Sequence, residues 1–356
     1  MMSVLDWIGA PIVDACAVRA DFGHLLVLTA DGALHGVDVD ARSIVRLCSV
    51  ELPELAPAGT NSFGAAAHRL HASSDGRHAA IVVDKARHGM VVETRSGAVT
   101  MRLDGGDYLE NTVPFSACFL RFEGRDVFVH RVAWNRLDVA DPATGESLTQ
   151  RDIASYETAG EPPEHYLDYF HGQLRPSPEG GLLFDDGWVW HPLSIPRVWS
   201  VTRWLNANPW ESEDGPSIVD LAAAEDWTKP ACWISERRLA LWGLADWDAY
   251  EAEEAGQGPG VRIVDVTAAE PSANELWPME SQAEKVLDLF SDGVRLFVAT
   301  ETGTTVWDIA TRAQMTALPG FTTRLLDRAR NTLVAFGLGT IREFPISRPV
   351  AAGGRL

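Results

Sequence analysis

The chain has 356 residues, 46% of them hydrophobic and 22% charged, which supports a large folded core and argues against wholesale disorder. With 30 Lys and Arg against 50 Asp and Glu the net charge is −20. Such an acidic surface repels phosphate backbones and anionic lipid, so no nucleic acid and no membrane is expected as a partner. Met1 to Trp7 holds no basic segment or apolar leader, and no run approaches the roughly 18 apolar residues of a bilayer span. Four cysteines (Cys16, Cys48, Cys118, Cys232) form no CxxC pair, which fits a cytoplasmic setting.

In chain order, Ser3 to Ile8 is a lone strand candidate. A first group of strands follows near 14–19, 24–29, 33–39 and 44–50, with turns at Asp21-Phe22-Gly23 and Asp31-Gly32. A second lies near 68–72, 77–84, 90–94 and 99–103, turning first at Ser74-Asp75-Gly76, and a third near 116–122, 125–131, 134–140 and 146–151. The fourth spans about 171–204; the fifth spans about 231–276 and carries a long insertion. The sixth is the most regular, with strands at 286–290, 295–300, 304–309 and 313–318 and turns at Ser291-Asp292-Gly293 and Glu301-Thr302-Gly303. The seventh offers three strands, near 322–327, 331–337 and 340–346. Asp and Gly between apolar, β-branched runs are hairpin signals, because glycine enters φ > 0 without a steric penalty.

About four strands recurring every roughly 40–60 residues predict an all-β, seven-bladed β-propeller, with six and eight as the alternative blade counts. Because a closed ring leaves no sheet edge open, Ser3 to Ile8 is expected to supply the strand missing from the seventh blade. The expected organisation is a single domain over 1–348 and a flexible tail over 349–356.

Third strands tend to end in an acid and a short polar turn: Glu93-Thr94-Arg95-Ser96-Gly97, Asp141-Pro142-Ala143-Thr144-Gly145 and Asp308-Ile309-Ala310-Thr311-Arg312. Val306-Trp307-Asp308-Ile309 resembles the core of the tryptophan-aspartate repeat, and Asp141 to Gly145 resembles the turn of quinoprotein-like propellers. Trp-Asp ends the third strand of one blade only. The resemblance implies the fold and a habit of binding partners, and it carries over no catalytic residue.

In a meander, connections from first to second and third to fourth strands leave one face. Those from second to third strands, and between blades, leave the other. The first class reads as short turns. The second reads as long, at roughly 51–67, 104–115, 152–169, 205–230, 267–284 and 244–259, and holds most of the excess negative charge. Long loops on a rigid scaffold are where binding usually sits, and carboxylates beside aromatics suit Lys or Arg. The expected partner is therefore a basic protein or peptide. The residues expected to hold it are Trp210, Glu211, Glu213, Asp214, Trp227, Asp246, Trp247, Asp248 and Glu251. Trp204 is also read as a loop residue, whereas Trp188, Trp190, Trp199, Trp233 and Trp242 are read as packing between blades.

Cys16, Cys118 and Cys232 each open a first strand and read as small residues lining a crowded channel. His68 and His71, three apart on a strand, point to opposite sides and cannot share an ion. The run Asp246 to Glu254 lacks the framework of a calcium loop. No nucleophile elbow, phosphate loop or dinucleotide fingerprint is present. The reading is a non-catalytic binding scaffold with no cofactor. The competing class is a propeller hydrolase or lactonase with a metal-assisted site in the central channel.

Overall fold

The computed structural model describes residues 2–56, 64–151, 164–190, 193–221, 223–224, 228–244, 258–267, 275–279, 282 and 284–346. Strand β1 (Ser3–Asp6) precedes the first blade, which comprises β2 (Ile12–Ala20), β3 (Gly23–Thr29), β4 (Ala33–Asp38) and β5 (Ser43–Ser49). The second blade is β6 (Ala67–Ala72), β7 (His78–Asp84), β8 (His88–Glu93) and β9 (Val99–Asp104); the third is β10 (Ala117–Phe122), β11 (Arg125–Ala133) and β12 (Arg136–Ala140). The fourth holds β13 (Phe170–Pro176), β14 (Leu182–Val189), the short β15 (Leu193–Ser194) and β16 (Arg197–Ser200), then helices α1 (Val201–Asn206) and α2 (Glu211–Asp214), and finally β17 (Val219–Asp220). The fifth is β18 (Ala231–Trp233), β19 (Arg238–Trp242), β20 (Gly260–Asp265) and β21 (Glu275–Pro278). The sixth is β22 (Val286–Ser291), β23 (Arg295–Thr300), β24 (Gly303–Asp308) and β25 (Gln314–Pro319). The seventh is β26 (Leu325–Asp327), β27 (Thr332–Gly337) and β28 (Thr340–Pro345).

Seven antiparallel sheets result, and the innermost strand of the seventh blade meets that of the first. The ring closes as the missing strand requires: β1 pairs antiparallel with β28, Ser3 opposite Glu343 and Asp6 opposite Thr340. The whole is a seven-bladed β-propeller.

The core explains why second strands are apolar without alternation. Side chains alternate across a strand, and each blade is covered on both sides by neighbours. Leu25 and Val27 pack with Val334 and Ile341 of the seventh blade, while Leu26 and Leu28 pack with Leu70, Ala79 and Ile81 of the second. Each junction between adjacent blades has its own apolar cluster of this kind. The outer strand β25 has a neighbour only on its inner edge and is almost wholly exposed.

The recurring acid-led turns do what their chemistry predicts. Asp308 Oδ1 accepts from Thr311 N at 2.7 Å, Asp141 Oδ1 from Ala143 N at 2.8 Å and Glu93 Oε2 from Ser96 N at 2.7 Å.

Two expectations are corrected. The third blade has no fourth strand among the described residues. A single bridge, Ala140 opposite Ser147, starts the pairing, and side chains then continue it: Val139 N donates to Thr149 Oγ1 at 2.9 Å, and Arg151 Nη2 donates to Leu137 O at 2.8 Å. The second correction concerns 205–230. Because β17 pairs with β16 as the fourth strand of its blade, residues 201–218 are a connection from third to fourth strand and leave from the short-turn side. Likewise β21 falls inside 267–284 and is the fourth strand of blade five. The long connections expected on one face are thus divided.

Candidate functional site

The described long-loop face carries an aromatic cluster over blades three and four. Phe170, at the start of β13, stacks on Trp188, at the end of β14, with ring centroids 4.2 Å apart and planes within 6°. Trp134, in the turn between β11 and β12, packs on Phe170 at 4.5 Å, and Tyr108, in the connection between β9 and β10, stacks on it at 5.9 Å. Trp190 meets Trp188 edge-on at 5.3 Å. The base of the cluster is buried with Val113, while Tyr108 and Trp190 are 48% and 43% exposed. Two large aromatics held in place by buried neighbours, with one side left to solvent, are a preorganised contact surface. Trp190 was expected between blades; it stands on this face because it falls just beyond the end of β14.

Asp107 and Glu110 share the connection that presents Tyr108, and Asp168 lies two residues before Phe170. Asp107 is highly exposed, with Arg87 Nη1 3.7 Å away. Asp104 is held more closely, at 2.6 Å from Arg87 Nε, and that hydrogen bond lowers its carboxyl to about 2.

The described residues among those expected to bind a partner lie elsewhere. Glu211 is fully buried; its carboxylate accepts from Ser217 N at 2.9 Å and Asn208 Nδ2 at 3.1 Å, with Arg203 Nε at 3.4 Å. Glu213 is buried against Arg151, whose guanidinium it binds. The Arg151 guanidinium also lies 5.2 Å from the centre of the Trp210 ring. Trp210 stacks on His165 at 4.4 Å, and Asp214 Oδ2 pairs with His165 Nδ1 at 2.8 Å. Trp210, Glu213 and Asp214 fasten the helical insertion of blade four against the chain that follows blade three, while Glu211 ties the insertion to itself. Trp204, read as a loop residue, is 1% exposed and packs with Trp199 in the junction between the two blades. Glu211 and Glu213 therefore serve the fold, because a buried carboxylate needs a local partner and each has one. Trp227, Asp246, Trp247, Asp248 and Glu251 lie outside the described residues.

Beneath the aromatic cluster is a buried polar group. A register shift between Phe170 and Gln173 bulges β13, and a Cβ on Gly172 would lie 1.9 Å from Asp186 O, so only glycine fits. Asp185 accepts from His171 Nδ1 at 2.6 Å and from Gly172 N at 2.8 Å. Asp186 Oδ2 accepts from Lys229 N at 2.8 Å, while its Oδ1 is buried without a partner, as is His171 Nε2. Burial, together with the adjacent Asp185, pushes Asp186 up to about 7. Burial also drives the Tyr169 phenol well above its usual range; its hydroxyl donates to Ile195 O and accepts from Gly187 N, both at 3.0 Å.

The central channel holds two chambers of about 450 and 460 Å³ that share His71, Gln173, Leu174 and Arg175 as a neck. The upper one, lined by the beginnings of the innermost strands, opens toward the long-loop face. The lower one is lined by Ala15, Ala17, Ala72 and, as the sequence predicts, Cys16, Cys118 and Cys232. Burial raises all three thiols, Cys232 to about 12, so they act as small apolar groups. Burial lowers His71 to about 4 and keeps it neutral at the neck. Among the described residues, no three His, Cys, Asp or Glu side chains converge as metal ligands would.

The chain matches no family model and no curated protein. Solved structures are similar in fold. The β-propeller domain of Cps50 (Swd1) from Myceliophteria thermophila aligns over 98% of this chain and 100% of its own at 11% identity, with a TM-score of 0.57. BamB from Moraxella catarrhalis aligns over 94% and 85% at 14% identity, with a TM-score of 0.53. A chain of the mitotic checkpoint complex aligns over 97% and 91% at 9% identity, with a TM-score of 0.55. At these identities the likeness establishes the architecture, a seven-bladed β-propeller.

Proposed function

We propose that the chain is a non-catalytic interaction propeller that holds a basic protein or peptide against its long-loop face. The observation that carries this reading is the exposed pair Tyr108 and Trp190, braced on the buried Phe170 and Trp188, with Asp107 and Glu110 on the connection of Tyr108 and Asp168 just before Phe170. Aromatic anchors with a charged surround are the usual composition of a binding hot spot, and carboxylates beside them favour Lys or Arg. Asp246, Trp247, Asp248 and Glu251, between β19 and β20, and Trp227, between β17 and β18, belong to connections of the same class and remain part of the proposed surface. That one similar fold comes from a multiprotein assembly, the mitotic checkpoint complex, agrees with an interaction role.

The test is affinity capture from the organism of origin at low and high salt, using the parent chain and a Tyr108→Ala, Trp190→Ala double variant. A basic protein should be retained by the parent at low salt, weakened at high salt by charge screening, and lost from the variant. Retention unchanged by both salt and substitution would sink the reading.

A further inference from the structure

The walls of the upper chamber run against the charge of the protein. In a chain of net charge −20, this chamber is lined by five basic residues and three acidic ones. The acids do not compete for the lumen. Asp84 binds the Arg69 guanidinium at 2.7 Å and also accepts from Phe115 N at 3.1 Å. Asp288 holds Arg175 at 2.8 Å across the channel and accepts from Leu289 N at 2.9 Å. Asp14 accepts from Leu70 N and Ala15 N, both at 2.9 Å, and burial raises its carboxyl. All three carboxylates are therefore turned toward backbone N–H groups and, for two of them, toward a guanidinium that they orient. At the rim stands Arg324, exposed, with no ion pair or side-chain hydrogen bond to any described residue. Lys85 and Lys229 also border the chamber, the ammonium of Lys229 lying beside Gly243.

We infer that the upper chamber binds a small molecule carrying two or more carboxylate or phosphate groups. Its volume of about 450 Å³ suits such a ligand. Guanidinium forks match the planar oxygens of carboxylate and phosphate, and carboxylate braces such as those on Arg69 and Arg175 fix a fork before the ligand arrives. The lower chamber does not offer the same site. Below the shared neck its walls are mostly alanine, cysteine, leucine, proline and aromatic side chains, and Arg328, its further charge, donates to Trp233 O at 2.8 Å. The site is independent of a macromolecular partner, so it stands or falls separately from the docking reading.

The experiment is isothermal titration of the full chain with citrate and, separately, with inorganic pyrophosphate, at constant ionic strength maintained with chloride. One-to-one binding is expected, and the tighter of the two anions identifies the ligand as carboxylate or phosphate. Arg324→Glu should weaken binding about tenfold or more, and Arg324→Ala by a smaller factor, with thermal unfolding of both unchanged. Arg125→Glu makes the same charge change at the β10–β11 turn on the opposite face and should leave binding within about twofold. Failure of both anions to bind, or equal weakening by Arg324→Glu and Arg125→Glu, would overturn the assignment.

Discussion

Blades six and four follow the same meander but treat their buried polar groups differently. In blade six, Thr304 Oγ1 donates to Phe321 O at 2.7 Å and accepts from Thr323 N at 2.9 Å, and Ser291 Oγ accepts from Gly293 N at 3.0 Å. In blade four, His171 Nε2, Asp186 Oδ1, Ser194 Oγ and Trp199 Nε1 are buried without partners. An unmet buried polar atom costs about 1–3 kcal/mol, so blade four is held in a less favourable arrangement by the blades around it. The exposed aromatic pair belongs to that part of the ring. Local departures from good packing and pairing tend to gather where a surface is kept for function, and here they coincide with the proposed contact surface.

The sharpest way to break this contrast is to remove one polar anchor from each blade. Asp185→Ala strands His171 and the bulged Gly172 amide, and should cost about 3–5 kcal/mol by chemical denaturation. Thr304→Val in blade six removes a neutral hydroxyl with two partners and should cost about 1–2 kcal/mol. Equal losses would mean that the two blades are equally dependent on their polar interiors.

Next in size is a pH effect confined to blade four. The folded chain holds a proton on Asp186 up to a pH of about 7, against 3.8 for an unperturbed aspartate. A raised carboxyl pKa means that the folded state binds a proton which the unfolded state releases. The resulting stability is fully present below the unfolded pKa, is lost as pH rises through the folded one, and does not change beyond it. Asp186→Asn abolishes that slope. The variant should gain on the parent by roughly 1 kcal/mol per pH unit between these limits, read as a larger rise in melting temperature at pH 8 than at pH 5. An equal shift at both values would show that Asp186 is ionised throughout.

The same contrast separates what the sequence displays from what it hides. Blade six is legible because each strand has its own apolar run and each turn its own Asp or Gly; β22 to β25 fall within a residue or two of the expected bounds. The closing strand is legible because three strands cannot complete the seventh blade. Blade four defeats the same reading for identifiable reasons. Helix α1 has six residues, too few for a helical period to show, although Ser200 caps it by accepting from Arg203 N at 3.2 Å. The outer strand β17 has two residues, so the insertion before it reads as a link between blades. Glu211 and Glu213 read as exposed because a carboxylate normally is. Only the fold brings Arg151, 62 residues away in sequence, against Glu213. Tyr108 and Trp190 have no linear signal in common, since their shared contact with Phe170 is made by three separate connections.

The smallest effects on stability belong to half-exposed side chains, one of which has the largest proposed effect on function. Trp190 is 43% exposed, and Met315 on the outer strand of blade six is 56% exposed. Truncating Met315 to alanine should change stability by no more than about 0.5 kcal/mol, and Trp190→Ala, which gives up its ring contacts with Trp188 and Phe170, by about 1 kcal/mol. Their effects on capture of a basic partner should differ. Trp190→Ala removes an anchor from a braced aromatic surface, whereas Met315→Ala removes an exposed side chain that stands outside that surface. Parallel capture with the two single variants, matched for folded fraction, separates a specific surface from general apolar exposure. If Met315→Ala reduced capture as far as Trp190→Ala, the aromatic cluster would have no special part in binding. The unmet polar groups of blade four would then be a matter of folding alone.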